Sequence, residues 1–221
     1  MNAALSLIAR HRVAAVLAFL LVFPLLMPYH ALAINILIFG LFAVGFNLLL
    51  GYTGMLSFGH AAFLGVGSYL TGMAIVHAQW HWIPALIIGV AASGLVGVAL
   101  GWLAIRSRGI YFSMVTLALG QIVYYAFYKA EKWTGGENGL RGVNVAPAEF
   151  MGLTIDFTNP ITKYYIVYVF VAMALWFVSR ILASPFGAVI EAIRENDKRA
   201  AACGYDVAKS KLLVFVLSAL I

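Results

Sequence analysis

Apolar runs long enough to cross a bilayer fill this chain, at residues 13–29, 31–50, 55–77, 83–105, 110–128 and 164–183. A crossing helix needs ~20 such residues to span ~30 Å of hydrocarbon. A soluble core has no use for so many of them. Only 10% of the 221 residues are charged and 64% are hydrophobic, where soluble domains carry about 25% charge. The expected fold class is all-α: a polytopic helical membrane protein, one transmembrane domain over residues 1–221. A last apolar segment, 211–221, has room to rise only ~16 Å as a helix. The chain is therefore expected to be truncated at its C-terminus, inside a helix.

The basic residues orient the spans. With the N-terminus in the cytoplasm, ten fall on the inner side: Arg10, Arg12, Arg106, Arg108, Arg180, Arg194, Lys198, Arg199, Lys209 and Lys211. Lys129, Lys132, Arg141 and Lys163 fall outside, all in one long loop. The acids divide evenly between the sides, so the net charge of +6 sits wholly on the inner face. That pattern explains the charge without a nucleic-acid partner and leaves the lipid bilayer as the surrounding medium. Arg10 and Arg12 followed by an apolar run resemble a signal peptide. The run to Tyr29 is too long, however, and no small-residue cleavage site follows. It is expected to stay as a first span. The single Cys203 excludes an intrachain disulfide framework.

One span departs from the rest. Residues 51–69 carry glycine at 51, 54, 59, 65 and 67, together with Ser57, Phe58 and His60. Glycine weakens a helix by ~1 kcal/mol relative to alanine. At membrane depth it permits close backbone approach or a break in the helix. Irregular backbone persists there only when buried in protein or lining a cavity. The segment is read as broken or re-entrant, and as part of a translocation pathway that includes Gly51, Gly54, Ser57, Phe58, Gly59 and His60. His60 is its one ionisable side chain. Either it donates to a carbonyl exposed by the break, or it moves protons or touches substrate. Thr116 and Gln121, in the span 110–128, serve either as interhelical glue or as pathway lining. Tyr124, Tyr125, Tyr128 and Trp133 suit an interfacial aromatic belt.

Two polar segments interrupt the spans. The outer one, from Lys129 to Lys163, contains Thr134, Gly135, Gly136, Asn138 and Gly139 in a glycine-rich turn, and loops of that length are usually functional or disordered. The inner one reads as a helix over 185–204, with Ser184 as N-cap, Pro185 at its first position and Gly204 ending it. Phe186, Val189, Ile190, Ile193, Asp197, Ala200 and Ala201 form one face, apolar apart from Asp197. It is too polar to span and is read as a docking element. Walker A, His-Glu-x-x-His, Cys-x-x-Cys and Gly-x-Ser-x-Gly patterns are all absent. Metal binding, ATP binding by this chain and membrane enzymology therefore have no motif support.

Four blocks carry a resemblance to a known family. They are Asn47 to Gly54 (NLLLGYTG) continuing into Ser57 to Ala62 (SFGHAA); Thr116 to Val123 (TLALGQIV); Thr134 to Gly142 (TGGENGLRG); and Ser184 to Gly187 (SPFG) through Ala192 to Asn196 (AIREN) to Gly204 and Tyr205. The chain resembles the permease subunits of bacterial ABC importers for branched-chain amino acids, and the longer permease of the pair. The resemblance implies a second permease subunit, two cytoplasmic ATPase subunits that bind the ATP, and a periplasmic substrate-binding protein. It implies no cofactor on this chain, no catalytic residue, and a place in the bacterial inner membrane. It also implies that helix 185–204 couples to an ATPase through Glu191, Ala192, Arg194, Glu195, Asn196, Ala200 and Gly204. The family continues past Lys211 with further spans. Relatives import urea or short amides, so those substrates stay open beside branched-chain amino acids. From the residues alone, a self-contained channel or proton-coupled carrier using His60 also stays open.

Overall fold

The computed structural model describes residues 14, 16–27, 29–143, 145, 148–150, 153–155, 157 and 159–221. Arg10, Arg12 and Asp156 lie outside them. The described chain is overwhelmingly helical, and all-α is its class. Helices run α1 (Val16–Leu26), α2 (His30–Thr53), α3 (Ala61–Val76), α4 (Trp82–Ala104), α5 (Ile110–Lys129), α6 (Glu131–Thr134), α7 (Pro160–Leu182), α8 (Pro185–Glu195), α9 (Asp197–Ala202) and α10 (Val207–Leu220). A 3-10 turn covers Gly136–Asn138. Two short antiparallel strands, β1 (Ala148–Phe150) and β2 (Leu153–Ile155), pair within the long loop, with Glu149 opposite Thr154. The protein is a multi-pass membrane protein: α2, α4, α5 and α7 are each long and apolar enough to cross.

The span expected over 55–77 is a helix only from Ala61 to Val76, 16 residues, or ~24 Å of rise. Residues 54–60 before it are not helical. The helix expected over 185–204 is two helices. Asn196 adopts φ −161° and ψ 105° between α8 and α9, and its side chain accepts from the N–H groups of Lys198 and Arg199, both at 3.0 Å. An N-cap inside the segment ends one helix and starts the next. The break explains why Ala201, expected on the apolar face, is exposed. Asp197, the polar exception on that face, pairs with Lys211 in the second turn of α10.

The chain forms two compact units. In the first, residues 1–41 and 147–179, Ala33, Leu37, Tyr164 and Val171 are the buried core. Buried tyrosine hydroxyls need partners. Tyr164 and Tyr168 donate to the carbonyls of Leu20 and Leu17 on α1, at 2.5 and 3.0 Å.

In the second unit, residues 42–146 and 180–221, α4 is the packing post. Gly89, Ser93, Gly97 and Gly101, four apart, are all buried along it. Such a stripe lets neighbouring helices approach closely: a Cβ on Gly97 would meet Ala219, and one on Gly101 would meet Phe215. Ser93 Oγ lies 2.7 Å from the carbonyl of Ala219 on α10 and 3.1 Å from that of Phe63 on α3. Leu48, Leu49, Phe63, Phe112, Ile190, Val214 and Phe215 complete this core.

Candidate functional site

The site begins where α2 ends. Gly54 takes φ +70°, a left-handed conformation that glycine adopts without steric cost. Its N–H donates to Leu50 O at 3.2 Å, and that of Met55 donates to Leu49 O at 3.1 Å. The backbone then runs without helical bonds to His60. Its exposed polar groups must find partners inside the protein, and α5 supplies them. Ser113 Oγ donates to Leu56 O at 2.7 Å. Phe58 N–H donates to Thr116 Oγ1 at 3.2 Å, and Thr116 Oγ1 donates to Ser113 O at 2.9 Å.

These bonds bring backbone against backbone. A Cβ on Gly59 would stand 1.9 Å from Thr116 O, and one on Gly120 would stand 2.9 Å from the Cα of Gly59. The segment is seated on α5 because both facing positions are glycine.

On its other side the segment turns inward at His60, which is buried. The ring lies 5.2, 5.7 and 5.5 Å from those of Phe42, Phe46 and Phe63. Its Nε2 is 3.3 Å from Ser218 Oγ on α10. The Ser218 hydroxyl donates to Gly45 O, so its one proton is committed and the histidine Nε2–H donates to it. The partner of His60 is thus a serine hydroxyl rather than a freed carbonyl. His60 Nδ1 and Ser57 Oγ are buried with no protein partner among the described residues.

Beside the segment opens a cleft of about 520 Å³ between α3 and one face of α5. Phe58, Gly59 and Gln121 line it. Ser57, His60 and Thr116 do not; Thr116 bonds the backbone that forms its wall, and His60 ties that segment to α10. Gln121 is exposed to the cleft instead of buried between helices. Gly136, Asn138 and Gly139 close one end. Thr134 supports that turn from beneath: it is buried, its Oγ1 lies 2.7 Å from Phe127 O, and it accepts Gly136 N–H at 3.2 Å. Gly135 follows it at φ +79°.

Helix α8 presents two faces. Gly187, Ile190 and Ile193 are buried, while Glu191, Ala192, Arg194, Glu195 and Asn196 are exposed, as is Gly204 beyond α9; Ala200 is buried. From the exposed face the Arg194 guanidinium reaches back and donates to Gly51 O, and a Cβ on Gly54 would lie 3.5 Å from the Arg194 Cγ. A cation at a helix C-terminus is favourable against the macrodipole. Two residue groups that the sequence left apart, Gly51 and Gly54 on one hand and Arg194 on the other, therefore meet at the end of α2. Sequence reasoning passed over Ser113, Gly120 and Ser218. Thr116 and Gly120 stand four apart on α5, and that spacing was the available signal. Among the described residues no three His, Cys, Asp or Glu side chains gather as a metal site would require.

A family model described as branched-chain amino acid transport system / permease component matches residues 29–221. The chain is 27% identical over 206 residues to the high-affinity branched-chain amino acid transport system permease protein LivM of Escherichia coli (strain K12). It is 25% identical over 202 residues to the protein of the same description from Salmonella typhimurium (strain LT2). Each match covers 83% of this chain and 48% of the relative, so the chain spans about half the length of the curated relatives it matches. No solved structure matches it significantly. The family match takes in the broken segment, its seat on α5, the loop that closes the cleft and the exposed helix α8, and with it the chain belongs to the permease components of branched-chain amino acid transport systems.

Proposed function

We propose that this protein is a permease subunit of an ABC importer that carries branched-chain amino acids into the cytoplasm. It would lie in the bacterial inner membrane with its N-terminus inside, beside a second permease subunit. Two ATPase subunits would bind and hydrolyse the ATP, and a periplasmic binding protein would deliver substrate. This chain itself would hold no cofactor. The observation that carries the reading is the bond from Arg194 to Gly51 O. It joins an exposed, charged helix directly to the start of the broken segment.

The mechanism follows from that joint. An ATPase seated on Glu191, Arg194 and Glu195 moves α8. Arg194 passes the displacement to the end of α2, where Gly54 acts as the hinge. The segment 55–59 then slides along α5 and reshapes the cleft wall at Phe58 and Gly59. The glycine pair Gly59 and Gly120 leaves no side chain in the way of that slide.

The test is reconstitution of the full-length protein with its neighbouring gene products in lipid, followed by ATPase assay with candidate binding proteins. Stimulation by a leucine-loaded binding protein supports the reading. Stimulation by a urea-loaded one alone keeps the class and changes the substrate. If no ATPase associates, the docking role of α8 fails and a self-contained channel or carrier replaces it.

A further inference from the structure

The cleft has a chemical polarity of its own. Its walls are aliphatic and aromatic, with Val66, Leu117, Val123 and Phe127 along them. At the end closed by the 136–139 turn the character changes. Glu137 stands there, the one charged side chain among the described residues that line the cleft. It makes no ion pair among the described residues. Tyr124 and Tyr128 line the same end, their rings stacked at 5.9 Å and 24°. This is also the carbonyl end of α5, which carries partial negative charge. A carboxylate, two electron-rich ring faces and a helix C-terminus all favour a cation. Just outside, the Arg141 guanidinium approaches Asn138 Oδ1 to 3.5 Å, a positive group on the same rim.

From this juxtaposition we infer that the cleft receives an α-amino acid, with Glu137 taking its ammonium group and the apolar walls taking an aliphatic side chain. Arg141, on the same rim, is placed to meet the substrate carboxylate. The inference rests on the import reading above and gives the permease a share in substrate choice. A neutral amide or urea offers Glu137 no charge to bind, and leaving a polar site unpaired is how such a site rejects an analogue.

The test is uptake by the full-length complex in proteoliposomes, with leucine-loaded binding protein, scored as leucine carried per ATP hydrolysed. A hydrogen bond to a charged group contributes about 1.5–3 kcal/mol, so Glu137→Gln lowers that yield about tenfold or more. Glu137→Asp, which keeps the charge, recovers part of it. Stimulation of ATP hydrolysis by the binding protein stays near the unsubstituted level in both. Full yield in Glu137→Gln overturns the inference. So does a parallel loss of ATPase stimulation and uptake, which would make Glu137 a docking residue for the binding protein. If the unsubstituted complex carries no leucine, the import reading itself has failed, and that result is separate from either variant.

Discussion

Alanine at position 59 tests the seating of the broken segment most directly. The added Cβ would lie 1.9 Å from Thr116 O and 2.8 Å from Thr116 C. Both are backbone atoms of a helix and have no rotamer to change. The segment must lift from α5 by more than an ångström. Overpacking of this kind costs about 1–3 kcal/mol. The shift also strains two bonds that depend on contact, Ser113 Oγ to Leu56 O and Phe58 N–H to Thr116 Oγ1, and interhelical bonds in membranes average about 0.6 kcal/mol each. The expected loss is about 2–4 kcal/mol. Gly65→Ala is the matched control, because a Cβ there meets nothing within 4 Å and the position is inside α3. Removing glycine from a helix interior is worth about 0.5–1 kcal/mol in the opposite direction. Reversible unfolding of the full-length protein in mixed micelles reads both. Equal stabilities for the two variants would refute the close approach and the seat built on it.

Arg194→Gln removes the cation at the end of α2. It should cost only about 1 kcal/mol of stability, since the group is exposed and its bond is solvent-screened, yet lower uptake per ATP several-fold; unchanged uptake removes Arg194 from the coupling path. Asn196→Ala deletes the acceptor that starts α9 and should cost about 1 kcal/mol; amide exchange over residues 197–202 should accelerate while that of α8 holds. Asp206 caps α10, and the backbone N–H of Lys209 chiefly holds its carboxyl below the usual value. Its folded value lies below its unfolded one, so its support is complete above about pH 4 and is lost as pH falls through the lower folded value. The first turn of α10, residues 207–210, should fray on acidification below about pH 4 and keep one set of NMR shifts across that range in Asp206→Asn; pH-dependent fraying in that variant would assign the effect elsewhere.

Hydropathy located the long helices closely where no side-chain cap begins them. The expected 83–105 and 110–128 lie within a residue of Trp82–Ala104 and Ile110–Lys129. It placed helix starts late where a polar cap begins the helix before the apolar run does. α7 starts at Pro160 rather than 164 because Asn159 Oδ1 accepts Ile161 N–H at 2.9 Å. α10 starts at Val207 rather than 211 because Asp206 caps it. Both caps are legible in sequence once the polar residue before the run is counted as part of the helix. The break at Asn196 was hidden for the opposite reason: helical periodicity continues through it, and only the capping side chain marks the restart. The glycines of 51–59 announced an irregular segment, but not its partner. Ser113, Thr116 and Ser218 find that segment from 57 to 158 residues away, and one sequence does not carry such pairings on its surface. The even spacing of Gly89, Ser93, Gly97 and Gly101 is a packing signal that the reading of the sequence passed over, and the spacing alone does not name the helices that use it.

Ser218 also imposes an order on biogenesis. The hydroxyl that receives His60 and reaches Gly45 lies 158 and 173 residues downstream of them. At about 5–20 residues per second of synthesis, His60 leaves the ribosome roughly 8–30 s before its partner exists. Ser113 arrives sooner, 57 residues after the Leu56 carbonyl it serves, or roughly 3–11 s at the same pace. During that interval a nascent chain holds an irregular, polar segment without its α10 contacts. Until α10 is made, His60 therefore lacks the hydroxyl that receives its Nε2–H in the folded protein.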